Sequence, residues 1–346
     1  MTFPENEYIK AKELIDKSYG KLPDGNDREL DISGEAPFVK LRGFSELSGI
    51  THGFTTRLGG VSEGCYSSLN LGFTKGDDRA SVLRNYQIIG KSMGIDCTRM
   101  VMNNQVHSSD VHVAREEDAG DGVIRAEVSR TVDALVTNVK NLPLAVFSAD
   151  CVPILFADPV SRVIGAAHAG WKGTVTGIAA KTVHKMVEEF GCLPENIYAA
   201  IGPSIGYENY EVSQDVIDEV VRCPYIDMSE TNLALQELPG AGAKKDLLVG
   251  CHAGSYIREN MPEDYIGITQ ANPGAVYNIF RTVNIRKRFM LNLWNLNELI
   301  LVNAGLSMSH IFNTRLCTMQ YHDYFFSYRY SGGKCGVHAG IICLNK

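Results

Sequence analysis

No apolar run in the chain approaches the roughly 18 residues of a membrane-spanning helix, so no membrane span is expected. Positive charge is not in excess either: 33 Lys+Arg stand against 40 Asp+Glu, a net charge of −7 at pH 7. That balance leaves no electrostatic footprint for nucleic acid or an anionic bilayer. Internal repeats and low-complexity tracts are missing. So is the cysteine pattern of a disulfide framework, because the nine cysteines are scattered and odd in number. Reduced thiols, some available to a metal, are expected instead. Met1–Glu7 lacks the basic start and apolar centre of a secretory leader, and a cytoplasmic protein is the expectation.

What is present is ordinary soluble-protein composition, 45% hydrophobic and 21% charged over 346 residues, enough for one large core. Residues 1–35 are charged and weakly periodic, with a turn at Pro23-Asp24-Gly25, and read as an N-terminal extension with one helix over Asn6–Tyr19. Residues 36–346 read as a single catalytic domain. Leu144–Phe147 and Val152–Ala157 are buried-strand runs. The Asp158-Pro159 turn and the run from Arg162 to Ala167 predict a hairpin. From Val175 to Phe190 the apolar period becomes helical, with Thr174 as expected N-cap and Gly191 just past the end. A strand follows at Ile197–Ile201, then a helix capped by Ser213. Residues 223 to 285 give no clear period. Irregular interleaving with hairpins favours an α+β layered fold over a doubly wound parallel sheet.

Three constellations carry chemistry. His107, Cys151 and His168 offer two imidazoles and a thiolate, the three protein ligands of an open zinc site. The same residue types serve equally as a buried cysteine with hydrogen-bonded histidines, as a Cys151 nucleophile with His168 as base, or as a structural staple. Gly170, Lys172 and Gly173 form either an anion-binding turn or a tight strand-to-helix connection. Arg57, before Gly59-Gly60, and Arg329, after Phe325-Phe326-Ser327-Tyr328, are placed to fork onto phosphate or carboxylate, or are surface arginines.

Taken in order, HGFTTRLGGVSEG from His52, SLNLG from Ser68, NQVH ending at His107, SADCVPILFAD from Ser148, HAGWKGT from His168, IGPSIG from Ile201 and FFSYR ending at Arg329 resemble the YfiH/laccase-domain family. Its members are also called polyphenol oxidases, multicopper-oxidase-like proteins and purine nucleoside phosphorylases. The resemblance spans residues 50 to 345 and implies a four-layer α/β/β/α sandwich. It implies one zinc per chain on His107, Cys151 and His168, with phosphate as co-substrate. The implied activity is phosphorolysis of adenosine, inosine, guanosine and methylthioadenosine, with deamination of adenosine to inosine. A peptidoglycan-precursor amidase and a laccase-like oxidoreductase are the alternatives, although three such ligands do not build a multicopper centre. Asp150 (as proton carrier) and Arg57 are then the expected catalytic residues, and Asn70, Gln105, Lys172 and Arg329 the expected substrate-binding ones. Purine nucleosides and phosphate are the expected partners, with no nucleic acid or membrane, and either a monomer or a dimer. The chain departs from the family in a longer stretch between His107 and Cys151, in Asn292 where Asp is common, and in Gly336-Val337-His338-Ala339 replacing Gly-Arg-x-Ala.

Overall fold

The computed structural model describes residues 28–125, 130–226, 232–237, 245–252, 276–283 and 288–345. Its strands, in chain order, begin with β1 (Arg28–Asp31), β2 (Phe38–Leu41), β3 (Ile50–Thr55), β4 (Val111–Val113) and β5 (Ala134–Thr137). They continue with β6 (Leu144–Ser148), β7 (Val152–Asp158), β8 (Val163–Ala169), β9 (Tyr198–Ile201) and β10 (Glu211–Val212). The remainder are β11 (Asn232–Glu237), β12 (Lys245–His252), β13 (Val276–Val283), β14 (Arg288–Leu291), β15 (Ile311–Asn313) and β16 (His338–Leu344). The helices that matter here are α1 (Arg79–Met93), α2 (Trp171–Val175), α3 (Ile178–Phe190), α4 (Gln214–Val221), α5 (Leu293–Asn303) and α6 (Tyr328–Ser331).

Two sheets stack face to face. One runs β1-β2-β3-β16-β6 and the other β15-β9-β7-β8-β5-β4. Their facing sides share one apolar core, in which Phe54, Leu144, Val146 and Ile342 meet Leu135, Leu155, Ile164 and Ala166. Strand alternation sends the intervening side chains outward. Ala145 and Ile341 pack with Val82, Tyr86 and Ile89 of α1. Ile154 and Phe156 pack with Ile178, Val183 and Met186 of α3 and with Leu296 and Leu299 of α5. Helix, sheet, sheet and helix are thus the four expected layers. Strands buried on both faces read as unbroken apolar runs, which is why β7 was legible as a strand at all.

The predicted hairpin is β7–β8, paired from Val152↔Ala169 to Asp158↔Val163. Its turn is held by Asp158, whose Oδ1 accepts the backbone N–H groups of Val160 and Ser161 at 2.9 Å. Strand β6, although adjacent in sequence, belongs to the opposite sheet. Residues 149–151 therefore carry the chain from one sheet to the other.

Several expectations change. Residues 28–31, assigned to the extension, form the edge strand β1, paired with β2 from Arg28↔Leu41 to Asp31↔Phe38. Charged side chains suit an edge, and for that reason the segment did not read as core. The expected helix over Asn6–Tyr19 lies outside the described residues. The helix from Val175 is split: α2 ends at Val175 with Thr176 as its C-cap, Gly177 takes φ +82°, and α3 begins at Ile178, so Thr174 lies inside α2 and is not an N-cap. A side chain at Gly177 would strike the Tyr225 ring, with a Cβ only 2.0 Å from Cε2. Gly191 closes α3 with φ +68°, as expected. The unreadable region contributes strands to a third, antiparallel sheet ordered β10-β14-β13-β12-β11. Among the described residues no helix is long and apolar enough to cross a membrane.

Two core histidines make this fold acid-sensitive. His52 is buried, and its Nε2 accepts the Leu41 N–H at 3.1 Å, a bond that requires the neutral ring. Burial, helped by Lys40, pushes His52 down to about 3. Burial likewise takes His338, beside the Phe325 ring, down to about 4. Both pKa values are depressed in the folded state, so the stability they contribute is complete above about pH 6.5 and falls as the unfolded chain gains protons below it. The loss is on the order of 1 kcal/mol per histidine per pH unit between pH 6.5 and 4. Urea unfolding at pH 7 and pH 4.5 measures it. His52→Gln, which keeps an acceptor but does not titrate, should flatten the dependence; an unchanged slope would remove His52 from the account.

Candidate metal centre

The site lies where the chain switches sheets. Cys151 immediately precedes β7, and His168 sits opposite Pro153 near the end of β8. His107 comes from the loop before β4 and has φ +62°. The ligand atoms of these three residues all lie within 4.8 Å of one another. Nε2 of His107 is 3.7 Å from Sγ of Cys151, and the two imidazoles meet edge to face with centroids 4.9 Å apart. His168 is buried, Cys151 half-buried and His107 exposed, so the cluster opens to solvent on one side.

The residues fit a metal. One thiolate and two imidazoles are the donor set that zinc prefers, and three protein ligands leave a fourth position free. Glycine at position 170 keeps the space clear. A Cβ there would fall 2.5 Å from Cδ2 of His107 and 3.1 Å from Sγ of Cys151. Burial disfavours the Cys151 thiolate, but the neighbouring His168 and His107 imidazoles outweigh it and hold the thiol below its ordinary range. Burial likewise disfavours the His168 cation, and the Cys151 sulfur and Asp133 carboxylate overcome it, raising His168.

Asp133, just ahead of β5, was not picked out in the sequence. Its carboxylate is inaccessible to solvent and accepts the N–H groups of Val106, His107 and Ser108 at 3.1, 3.1 and 2.7 Å. Nδ1 of His168 lies 2.8 Å from its Oδ1. No local pattern marks Val132-Asp133-Ala134, because every partner is at least 25 residues away.

The other expected site residues are placed as follows. Asp150 has φ +98° and is buried. Its two oxygens accept the Thr318 hydroxyl and the Arg329 N–H, both at 2.6 Å, and its carbonyl accepts the Ile205 N–H at 2.8 Å. With both oxygens engaged, it anchors the strained turn before Cys151. Asn70 is fully buried, with its amide spent on Gly72, Asp77 and Val337. Gln105 exchanges two 2.7 Å bonds with the backbone of Phe147, imitating a strand partner. Both amides thus hold neighbouring segments of the chain, Asn70 those at Gly72, Asp77 and Val337 and Gln105 that at Phe147. Arg57 lies over the Phe326 ring, donating to the carbonyls of Ser67 and His322. Arg329 reaches the Glu211 carbonyl across the Tyr210 ring, and Lys172 is exposed over Trp171.

The sequence profile of the family described as multi-copper polyphenol oxidoreductase laccase matches residues 51–242 and 252–345. The chain belongs to this family. Among its relatives is purine nucleoside phosphorylase YlmD of Bacillus subtilis, 32% identical over 295 residues, covering 85% of this chain and 88% of that protein. The protein of the same name from Geobacillus stearothermophilus is 31% identical over 301 residues, 87% of this chain and 92% of its own. The crystal structure of YlmD from Geobacillus stearothermophilus superposes with a TM-score of 0.73 at 29% identity, covering 93% of this chain and 100% of that one. The family's relatives share the mixed α/β architecture described above.

Proposed function

We propose that the chain is a zinc-dependent purine nucleoside phosphorylase that also deaminates adenosine. The observation that carries the reading is the convergence of one sulfur and two imidazole donors, within 4.8 Å, at a site open to solvent. Relatives named purine nucleoside phosphorylase supply the substrate class. A zinc ion held by His107, Cys151 and His168 supplies Lewis acidity and an acidified water.

The chain's own residues supply the rest. Arg57 is the principal phosphate ligand: its Nε and Nη1 are spent on carbonyls, and Nη2 has no acceptor among the described residues. Lys172 and Arg329 add positive charge for the same anion. In phosphorolysis a phosphate oxygen bonds to ribose C1′ as the C1′–N9 bond breaks, and the purine leaves with a proton. In deamination water adds at C6 of adenine and ammonia departs. Adenosine, inosine, guanosine and methylthioadenosine are the proposed substrates.

Incubation with adenosine, with and without phosphate, followed by mass spectrometry tests both branches. Adenine with ribose 1-phosphate should form only when phosphate is added, and inosine in either case. Absence of all three products would refute the nucleoside reading.

A further inference from the structure

We propose that Asp133 is the positioning residue of the metal centre, a single carboxylate that sets two of its three ligands at once. The inference rests on the metal reading above. Four N–H groups converge on one carboxylate, three of them backbone groups of consecutive residues centred on His107. A peptide turning back on an anion in this way forms a nest, and here the anion is part of the protein. His107 has φ +62°, a left-handed conformation that an L-residue adopts only at a cost, and the three charge-assisted bonds to its loop offset that cost. The same carboxylate takes Nδ1 of His168, which fixes the tautomer and leaves Nε2 to face Cys151. Further anchoring comes from strand geometry: the backbone N–H of His168 donates to the Asp133 carbonyl at 2.8 Å, so β5 carries Asp133 in register with its target.

The arrangement differs from the usual carboxylate–histidine–metal relay. An acidic partner normally orients one ligand. Here it orients one imidazole and folds the loop that carries the other. His107 is exposed and on a loop whose other anchors lie to either side of it, Gln105 and the Asn104 N–H at the entry and the Ser109 hydroxyl and Asp110 carbonyl at the exit. Among the described residues the Asp133 carboxylate is the group that holds residues 106–108 themselves. Removing the carboxylate should therefore release both histidines together, while Cys151, held by Asp150, stays in place.

Asp133→Asn tests this, because it keeps the shape while replacing an acceptor oxygen with a donor that faces N–H groups. Zinc affinity, measured by competition with a chromophoric chelator, should fall at least 10- to 100-fold, the range for loss of an outer-shell partner. In the cobalt-substituted protein the visible ligand-field bands should shift, because the geometry of two nitrogen donors changes. In chelator the variant should melt only a few degrees below chelator-treated wild type, the cost of one loosened loop rather than of the core. Unchanged affinity overturns the proposal. Weakened binding with an unaltered cobalt spectrum and an equally lowered midpoint in chelator also overturns it, since Asp133 would then serve the fold alone. Wild type that binds no metal would refute the metal reading instead. Should Asp133→Asn fail to fold, histidine-selective 15N NMR of zinc-loaded wild type still decides: His168 must carry its proton on Nδ1 and bind through Nε2, and the opposite tautomer overturns the proposal.

Discussion

Cys151→Ser is expected to lose stoichiometric zinc and to lower phosphorolysis by on the order of 10³-fold, because Lewis-acid stabilisation is worth several kcal/mol at the transition state. The hydroxyl occupies almost the same volume as the thiol but is not deprotonated near neutral pH, so the soft donor disappears without disturbing the packing. Elsewhere the fold should be indifferent. Cys151 lies in the connection between sheets rather than in the core, and its turn is fixed by Asp150 through Thr318, Arg329 and Ile205. Metal analysis on purified protein, alongside steady-state rates with adenosine and phosphate, gives the answer. If wild type kept full turnover in excess chelator while Cys151→Ser was dead, Cys151 would be a nucleophile with His168 as its base.

Gly170→Ala should be nearly as damaging, and for a reason confined to the site. The backbone there has φ −66° and ψ 168°, which alanine adopts without strain. The added methyl nevertheless occupies the space between the ligands, 2.5 Å from the His107 ring and 3.1 Å from the Cys151 sulfur. The ring must swing away, since its loop backbone is pinned to Asp133. Zinc affinity is expected to fall by about 100-fold or more, in line with displacing a ligand by an ångström or so. The thermal midpoint in chelator should move by only a few degrees. A large drop in that midpoint would locate the damage in the fold and count against this account.

How much of this was legible in the sequence depended on how local each signal was. Strands β7 and β8 were readable because both faces are buried and their turn is written in Asp158-Pro159. The three metal donors were chemically visible, but only the order of the surrounding motifs singled them out from buried cysteines and hydrogen-bonded histidines. Asp133 had no such signal, since its role exists only through partners 25 to 35 residues away. The partners of the Asn70 and Gln105 amides were not legible, because Val337 and Phe147 lie far off in the sequence. The contacts of Asp150 were likewise hidden, because its carboxylate is turned to Thr318 and Arg329, 168 and 179 residues away in the sequence. Edge strand β1 was hidden by its charge, and the break at Gly177 by an apolar stripe that continues across it.

Strand order also governs when the protein can become competent. Strand β16, residues 338–344, lies between β3 and β6 and pairs with both. A chain emerging from the ribosome therefore holds β6, the strand that leads into Cys151, without its sheet partner for nearly two hundred residues of synthesis. Pairings this distant in sequence are slow to form and leave strand edges exposed meanwhile. The sheet that leads into the candidate metal centre is accordingly completed only once β16 has been made, and a nascent chain stalled before His338 would present its thiol and histidines on a half-built scaffold.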